Sequence, residues 1–168
     1  MMKLGKTTLC ALMLPAFLAS ACGGEGSQEC GDTGGANFLD GSFCDSILGF
    51  EEVEIDFNGS FLRVQYGVPT AEDPTQVAAF LEIAIIGTNV VIEEGRTYGP
   101  SFLTVRRRAS EGANLTPVPI GSESMGVTLE RFSGVGEVAE GSFAFLVEGN
   151  TQRTLTGEFE ATVEPLTP

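Results

Sequence analysis

Apolar residues recur at every second position in stretch after stretch of this 168-residue chain. Val53, Ile55 and Phe57 alternate with Glu52, Glu54 and Asp56, and Leu62, Val64 and Tyr66 alternate with Arg63 and Gln65. Val127 and Leu129 alternate with Thr128 and Glu130. Phe143, Phe145 and Val147 form a further stripe, and Leu155, Phe159, Ala161 and Val163 a last one. Successive side chains of an extended chain point to opposite faces, so this rhythm specifies half-buried antiparallel strands. The 22 glycines between and within the runs suit many tight turns. With 42% apolar residues the chain can bury a core. The expected architecture is one antiparallel β-sandwich of about seven to nine strands, with a closed barrel of similar strand count as the alternative.

Two hairpins follow from the pattern. Asn58-Gly59 lies between two alternating runs and predicts a two-residue type I′ turn. That turn pairs Phe57 with Ser60, Ile55 with Leu62 and Val53 with Val64 on the core face, leaving Glu54 opposite Arg63 and Glu52 opposite Gln65 outside. Near the C-terminus, a loop of about three or five residues around Gly149-Asn150 sets Phe145 against Leu155, Phe143 against Gly157 and Leu146 beside Thr154. Gly149 or Asn150 would then take positive φ. Phe143, Phe145, Leu155 and Phe159 are expected in the core.

One segment carries conflicting signals. Asp73-Pro74-Thr75-Gln76 has the chemistry of a helix start, and Val77, Phe80, Leu81 and Ala84 have helical spacing. Ile83, Ile85 and Ile86 favour a strand. The reading adopted is a short helical turn over 73–77 and a strand over about 79–87, with one helix over 74–86 as the alternative. A Gly-x-Phe unit also recurs, at Gly41, Gly59, Gly141 and Gly157, with irregular spacing. It reads as glycine leaving a turn and an aromatic opening a strand.

The first 21 residues read differently. Lys3 and Lys6 precede an apolar run from Leu9 to Ala19, and the small residues Ala19-Ser20-Ala21 close it. At 11 residues the run falls short of the roughly 20 that span a bilayer, and the charge–apolar–small order is that of a secretory signal peptide. Residues 1–21 are therefore set aside from the fold. Residues 22–42, rich in Gly, Ser and acids, form a tether. Residues 43–164 make the sandwich, and 165–168 a tail.

Leu18-Ala19-Ser20-Ala21-Cys22-Gly23-Gly24 resembles the lipobox of bacterial lipoproteins, with Ala19 where that family prefers Leu. The closing Gly-x-Phe pairs resemble the end of small β-sandwich domains in exported bacterial lipoproteins of unknown function, which lends no catalytic residue. The resemblance implies that Cys22 becomes an acylated N-terminus holding the protein to a membrane, an outer membrane where one is present, since Gly23 rather than Asp follows. Acylation of Cys22 leaves Cys30 and Cys44 as an even pair. In an oxidising compartment these are expected to form a disulfide, closing a loop of about 15 residues worth roughly 3 kcal/mol.

Charge and residue types narrow the chemistry. Without the signal, seven arginines face 23 carboxylates, a net charge of −16. So acidic a chain argues against a nucleic-acid partner. The absence of His removes His-based triads and ligands, and no G-x-S-x-G occurs. A carboxylate-pair glycosidase is disfavoured by the small domain, the absence of Trp and only two Tyr. Glu52, Glu54 and Asp56 share one strand face; a calcium site is one reading, and a solvated face that keeps the protein soluble is the reading adopted. Asp32 and Asp40 in the cysteine loop, with Asp45 directly after Cys44, are the candidate cation ligands, although they match no known calcium loop. Arg106 and Arg108 share a face that Arg107 opposes, and pairing with surplus carboxylates is preferred to an anion site. Asn58-Gly59-Ser60 and Asn114-Leu115-Thr116 match glycosylation sequons, incidental under a bacterial address.

The expected function is a lipid-anchored cell-envelope protein, a non-enzymatic structural or protein-binding module with no cofactor. Its expected partners are the membrane, through the anchor, and an envelope protein. The alternative is a lipoprotein that holds a metal ion or small molecule.

Overall fold

A computed structural model describes residues 37–41, 50–86, 90–108, 112–149 and 153–166. The expected signal peptide over 1–21, the expected acylation site Cys22, the expected disulfide partners Cys30 and Cys44, and the candidate cation ligands Asp32 and Asp45 lie outside them. Ten strands run in the order β1 (Phe38–Asp40), β2 (Glu52–Phe57), β3 (Phe61–Pro69), β4 (Val77–Ile86), β5 (Thr97–Tyr98), β6 (Leu103–Arg108), β7 (Leu115–Pro117), β8 (Gly126–Arg131), β9 (Val138–Val147) and β10 (Arg153–Pro165). Strand neighbours follow the path β5-β8-β9-β10-β2-β3-β4-β6-β7, with β1 also on β10. The path does not close into a barrel and forms a β-sandwich. Its three additional short strands, β1, β5 and β7, are two or three residues long and too brief to show a period.

One layer is β5-β8-β9-β10 and the other β2-β3-β4-β6-β7. β10 is long enough, at 13 residues, to serve both. Arg153–Thr162 pair antiparallel with β9, and then Val163–Pro165 pair parallel with β2. Tyr66 of β3 ties the layers together: its ring meets Phe143 edge-on at 6.1 Å, and its hydroxyl donates to the Glu158 carbonyl at 2.7 Å. Around it pack Phe50, at 5.2 Å, and the stacked rings of Phe143 and Phe145, at 4.9 Å. Phe143, Phe145, Leu155 and Phe159 are all buried.

The β9–β10 register agrees with the sequence: Phe145 opposes Leu155, Phe143 opposes Gly157 and Leu146 opposes Thr154. Gly149, however, is not among the positive-φ glycines, and Asn150 lies outside the described residues. Two Gly-x-Phe units meet in this hairpin. Gly141 pairs with Phe159 and Gly157 with Phe143, and a Cβ on either glycine would run into the opposing ring. These glycines are therefore mid-strand seats for aromatic rings, not turn exits; at Gly59 the turn-exit reading stands.

The β2–β3 register differs from expectation by two residues. Phe57 pairs with Leu62, Ile55 with Val64, Val53 with Tyr66, Glu54 with Gln65 and Asp56 with Arg63. The turn is Gly59-Ser60, flanked by an Asn58 N–H to Phe61 carbonyl bond of 3.2 Å. Gly59 takes φ +94° while no non-glycine among the described residues takes positive φ, the pattern of a type II′ turn. A type I′ turn would have needed Asn58 in the left-handed region, and the shift also brings Asp56 against Arg63. Because it is an even shift, Ile55 and Leu62 keep the core face, and both are fully buried.

Helix-start chemistry at Asp73 closes a turn and no helix. Its carboxylate accepts from the Thr75 N–H at 3.0 Å, the Thr75 hydroxyl at 2.7 Å and the Gln76 amide at 3.1 Å, and β4 begins at Val77. At the other end of the chain, Phe38–Asp40, placed within the tether by composition, pair with Glu158–Thr156 of β10, and Leu39 is fully buried. The Asn37 amide completes the strip: it accepts from the Glu160 N–H at 2.6 Å and donates to the Glu160 carbonyl at 3.1 Å. It acts as a one-residue strand partner.

Candidate functional site

The outer face of β2-β3-β4-β6 carries the most organised polar chemistry. Strand register sets it out in rungs. One rung runs Glu54, Gln65, Glu82, Arg106, and the next runs Asp56, Arg63, Ala84, Thr104. Asp56, Gln65 and Glu82 are buried, although they lie on the side away from the core. Arginines lie against the two acids, Arg63 on Asp56 and Arg106 on Glu82, and such side chains lay their methylenes over a surface and keep the charged end wet.

Each buried carboxylate has its own arginine. Arg63 Nε and Nη2 donate to one oxygen of Asp56 at 2.8 and 2.7 Å. Arg106 Nε donates to one oxygen of Glu82 at 2.7 Å, and Nη2 donates to the same oxygen. Arg108 lies 5.8 Å from the Phe80 ring centre, a cation–π placement on the same face. The expectation of a solvated acidic face is thus corrected at Asp56, which is 4% exposed. Burial comes from the arginine across the ladder, which the shifted register supplies. Glu54, half-buried, has its titration point raised by burial first and then by the charge of Asp56, opposed by the Val77 N–H and Arg63, with Glu164 adding a smaller upward push.

Arg106 and Arg108 share this face and Arg107 opposes them, standing opposite Leu81 in the ladder, as the sequence spacing implied. Pairing with a carboxylate holds for Arg106. Asp40 ends β1, where its Oδ1 accepts from the Gly41 N–H at 2.6 Å. Among the described residues, no group of three or more His, Cys, Asp or Glu side chains is placed to hold a metal ion. Gln65 was read only as an outward polar residue opposite Glu52, and Glu82 escaped the sequence reading. Glu82 did leave a trace, as the one charge inside the apolar run Val77–Ile86.

The opposite outer face, on β8-β9-β10, holds a second glutamate-rich area. Glu130, Glu140, Glu158 and Glu160 line an open groove of about 150 Å³ with Gly141 and Phe159. Arg131 pairs with Glu140 and reaches Glu160 at 3.6 Å, while the Ser142 hydroxyl donates to Glu130 at 2.9 Å. Both layers therefore show water a charged face with arginine held against glutamate. No protein-family model matches the chain, and no curated protein and no solved structure matches it.

Proposed function

We propose that the protein is a lipid-anchored module of the bacterial cell envelope that works as a non-enzymatic structural or protein-binding element through its outer sheet faces. The observation that carries this reading over an internal ligand site is the interlocked core. Tyr66, Phe143 and Phe145 bridge the layers, and the rings of Phe159 and Phe143 fill the space over Gly141 and Gly157. An interior packed this way leaves surfaces as the place to bind, and arrays of fixed charge on the sheet faces offer a protein partner electrostatic complementarity. The lipobox-like run ending at Cys22 supports the anchor, and two or more acyl chains give a stable one. Fractionation tests the reading: wild type is expected in the detergent-extracted membrane fraction and Cys22→Ser in the soluble fraction. Equal partitioning of the two would remove the anchor.

A further inference from the structure

Among the described residues two buried side-chain polar atoms have no hydrogen-bond partner, Gln65 Oε1 and Arg108 Nε, both on the outer face of the second layer; Arg108 is an always-charged donor stacked over Phe80, whereas Gln65 faces a titratable group. Gln65 is 7% exposed, and its buried Oε1 has no hydrogen-bond partner among the described residues. Directly across the β2–β3 ladder stands Glu54, and opposed side chains on one face have Cβ atoms about 4.5–5.5 Å apart. Arg63 is engaged by Asp56 and Arg106 by Glu82, and among the described residues Glu54 accepts one long bond, from the Val77 N–H at 3.4 Å. An ionised carboxylate and an amide oxygen are both acceptors, so in that state neither satisfies the other.

We propose that Glu54 takes up a proton and donates the resulting carboxyl O–H to Gln65 Oε1, a proton-dependent clasp across β2 and β3. The proton comes from solvent and no covalent bond changes. The groups around Glu54 favour the acid form on balance: burial and the charge of Asp56 raise its titration point from 4.5, Glu164 of β10 adds to them, and Arg63 and the Val77 N–H oppose. Glu82 and Arg106 continue the rung beyond Gln65 as a matched pair. With Glu54 neutral, each carboxylate left in the two rungs has its arginine. The outer face of this layer would thus respond to acidification by losing one charge and gaining one cross-strand bond.

The sign is fixed by linkage. From 4.5 upward to the raised folded-state value, the folded protein holds the proton and the unfolded chain does not. Stability conferred by Glu54 is therefore present in acid and lost as pH rises through that window. The test is carbon-13 NMR titration of the Glu54 carboxyl in the full-length chain in detergent micelles, assigned by its loss in Glu54→Gln, for wild type and Gln65→Met. The titration midpoint is expected above 4.5 in wild type and to fall toward 4.5 in Gln65→Met. An unchanged or higher midpoint in Gln65→Met overturns the proposal, because a Gln65 amide donating to ionised Glu54 gives the higher value. Urea midpoints of Glu54→Gln, whose amide N–H donates at any pH, provide a second readout. They should lack the wild-type decline across this window, and a decline equal to that of wild type also overturns the proposal.

Discussion

Phe145 is 1% exposed and stacked on Phe143, so Phe145→Ala should cost about 3–5 kcal/mol in urea melts, the range for a buried Phe. A loss below about 1 kcal/mol would mean that the ring is not in the core. Tyr66 adds a hydroxyl to the same core. Burial holds its titration point well above the ordinary 10.0, with the charge of Glu158 adding to the effect. The unfolded chain releases this proton first, so stability should fall as pH climbs above 10.0, and Tyr66→Phe should remove that part of the slope. The variant should also lose about 1 kcal/mol at neutral pH with its bond to Glu158. On the outer face an asymmetry is expected. Arg106→Met leaves the Glu82 carboxylate buried and unpaired, whereas Glu82→Gln leaves Arg106 42% exposed to water. The first should cost about 2–3 kcal/mol, less than a fully enclosed pair, and the second about 0–1 kcal/mol. Equal losses would contradict the burial of Glu82.

Among the elements, the β2–β3 turn separates two geometries that the sequence left close. Gly59→Ala should cost about 1 kcal/mol because φ is +94° there, while Asn58→Ala should stay within about 0.5 kcal/mol. A type I′ turn at Asn58-Gly59 would penalise both. The alternating runs made the strands and their faces legible, since period two assigns each side chain to a side. They did not make this register legible, because a shift of two residues keeps every face and changes only the partners. The decision lay in one backbone angle and in the Asp56–Arg63 pair. Gly141 and Gly157 show a second limit: a glycine that seats a ring looks in sequence like a glycine that makes a turn. Gly141→Ala should cost about 1–3 kcal/mol or more by driving a Cβ against both the Phe159 ring and the Thr128 backbone carbonyl. β1 was hidden because three residues show no period. Its hold on β10 depends on Asn37, and Asn37→Ala should cost about 1–3 kcal/mol by leaving Glu160 backbone groups unpaired.

At the scale of the whole molecule, a packed sandwich carries its carboxylates on two outer faces, with arginines pinned to some of them. The polar rungs were only partly legible in the sequence. Glu54, Asp56 and the arginine run were visible as charges, but Asp56 meets Arg63 through the hairpin turn, and Glu82 meets Arg106 because β4 lies beside β6, which no local pattern encodes. The proposed anchor fits this surface: a net charge of −16 over residues 22–168 disfavours close contact with an anionic membrane, and acyl chains on Cys22 with a spacer would hold the domain near it without contact. Intact-mass analysis of the protein purified from the membrane fraction tests that claim most directly. The account predicts a chain that begins at Cys22 and carries thioether-linked diacylglycerol, and a chain with an unmodified Cys22 would contradict it.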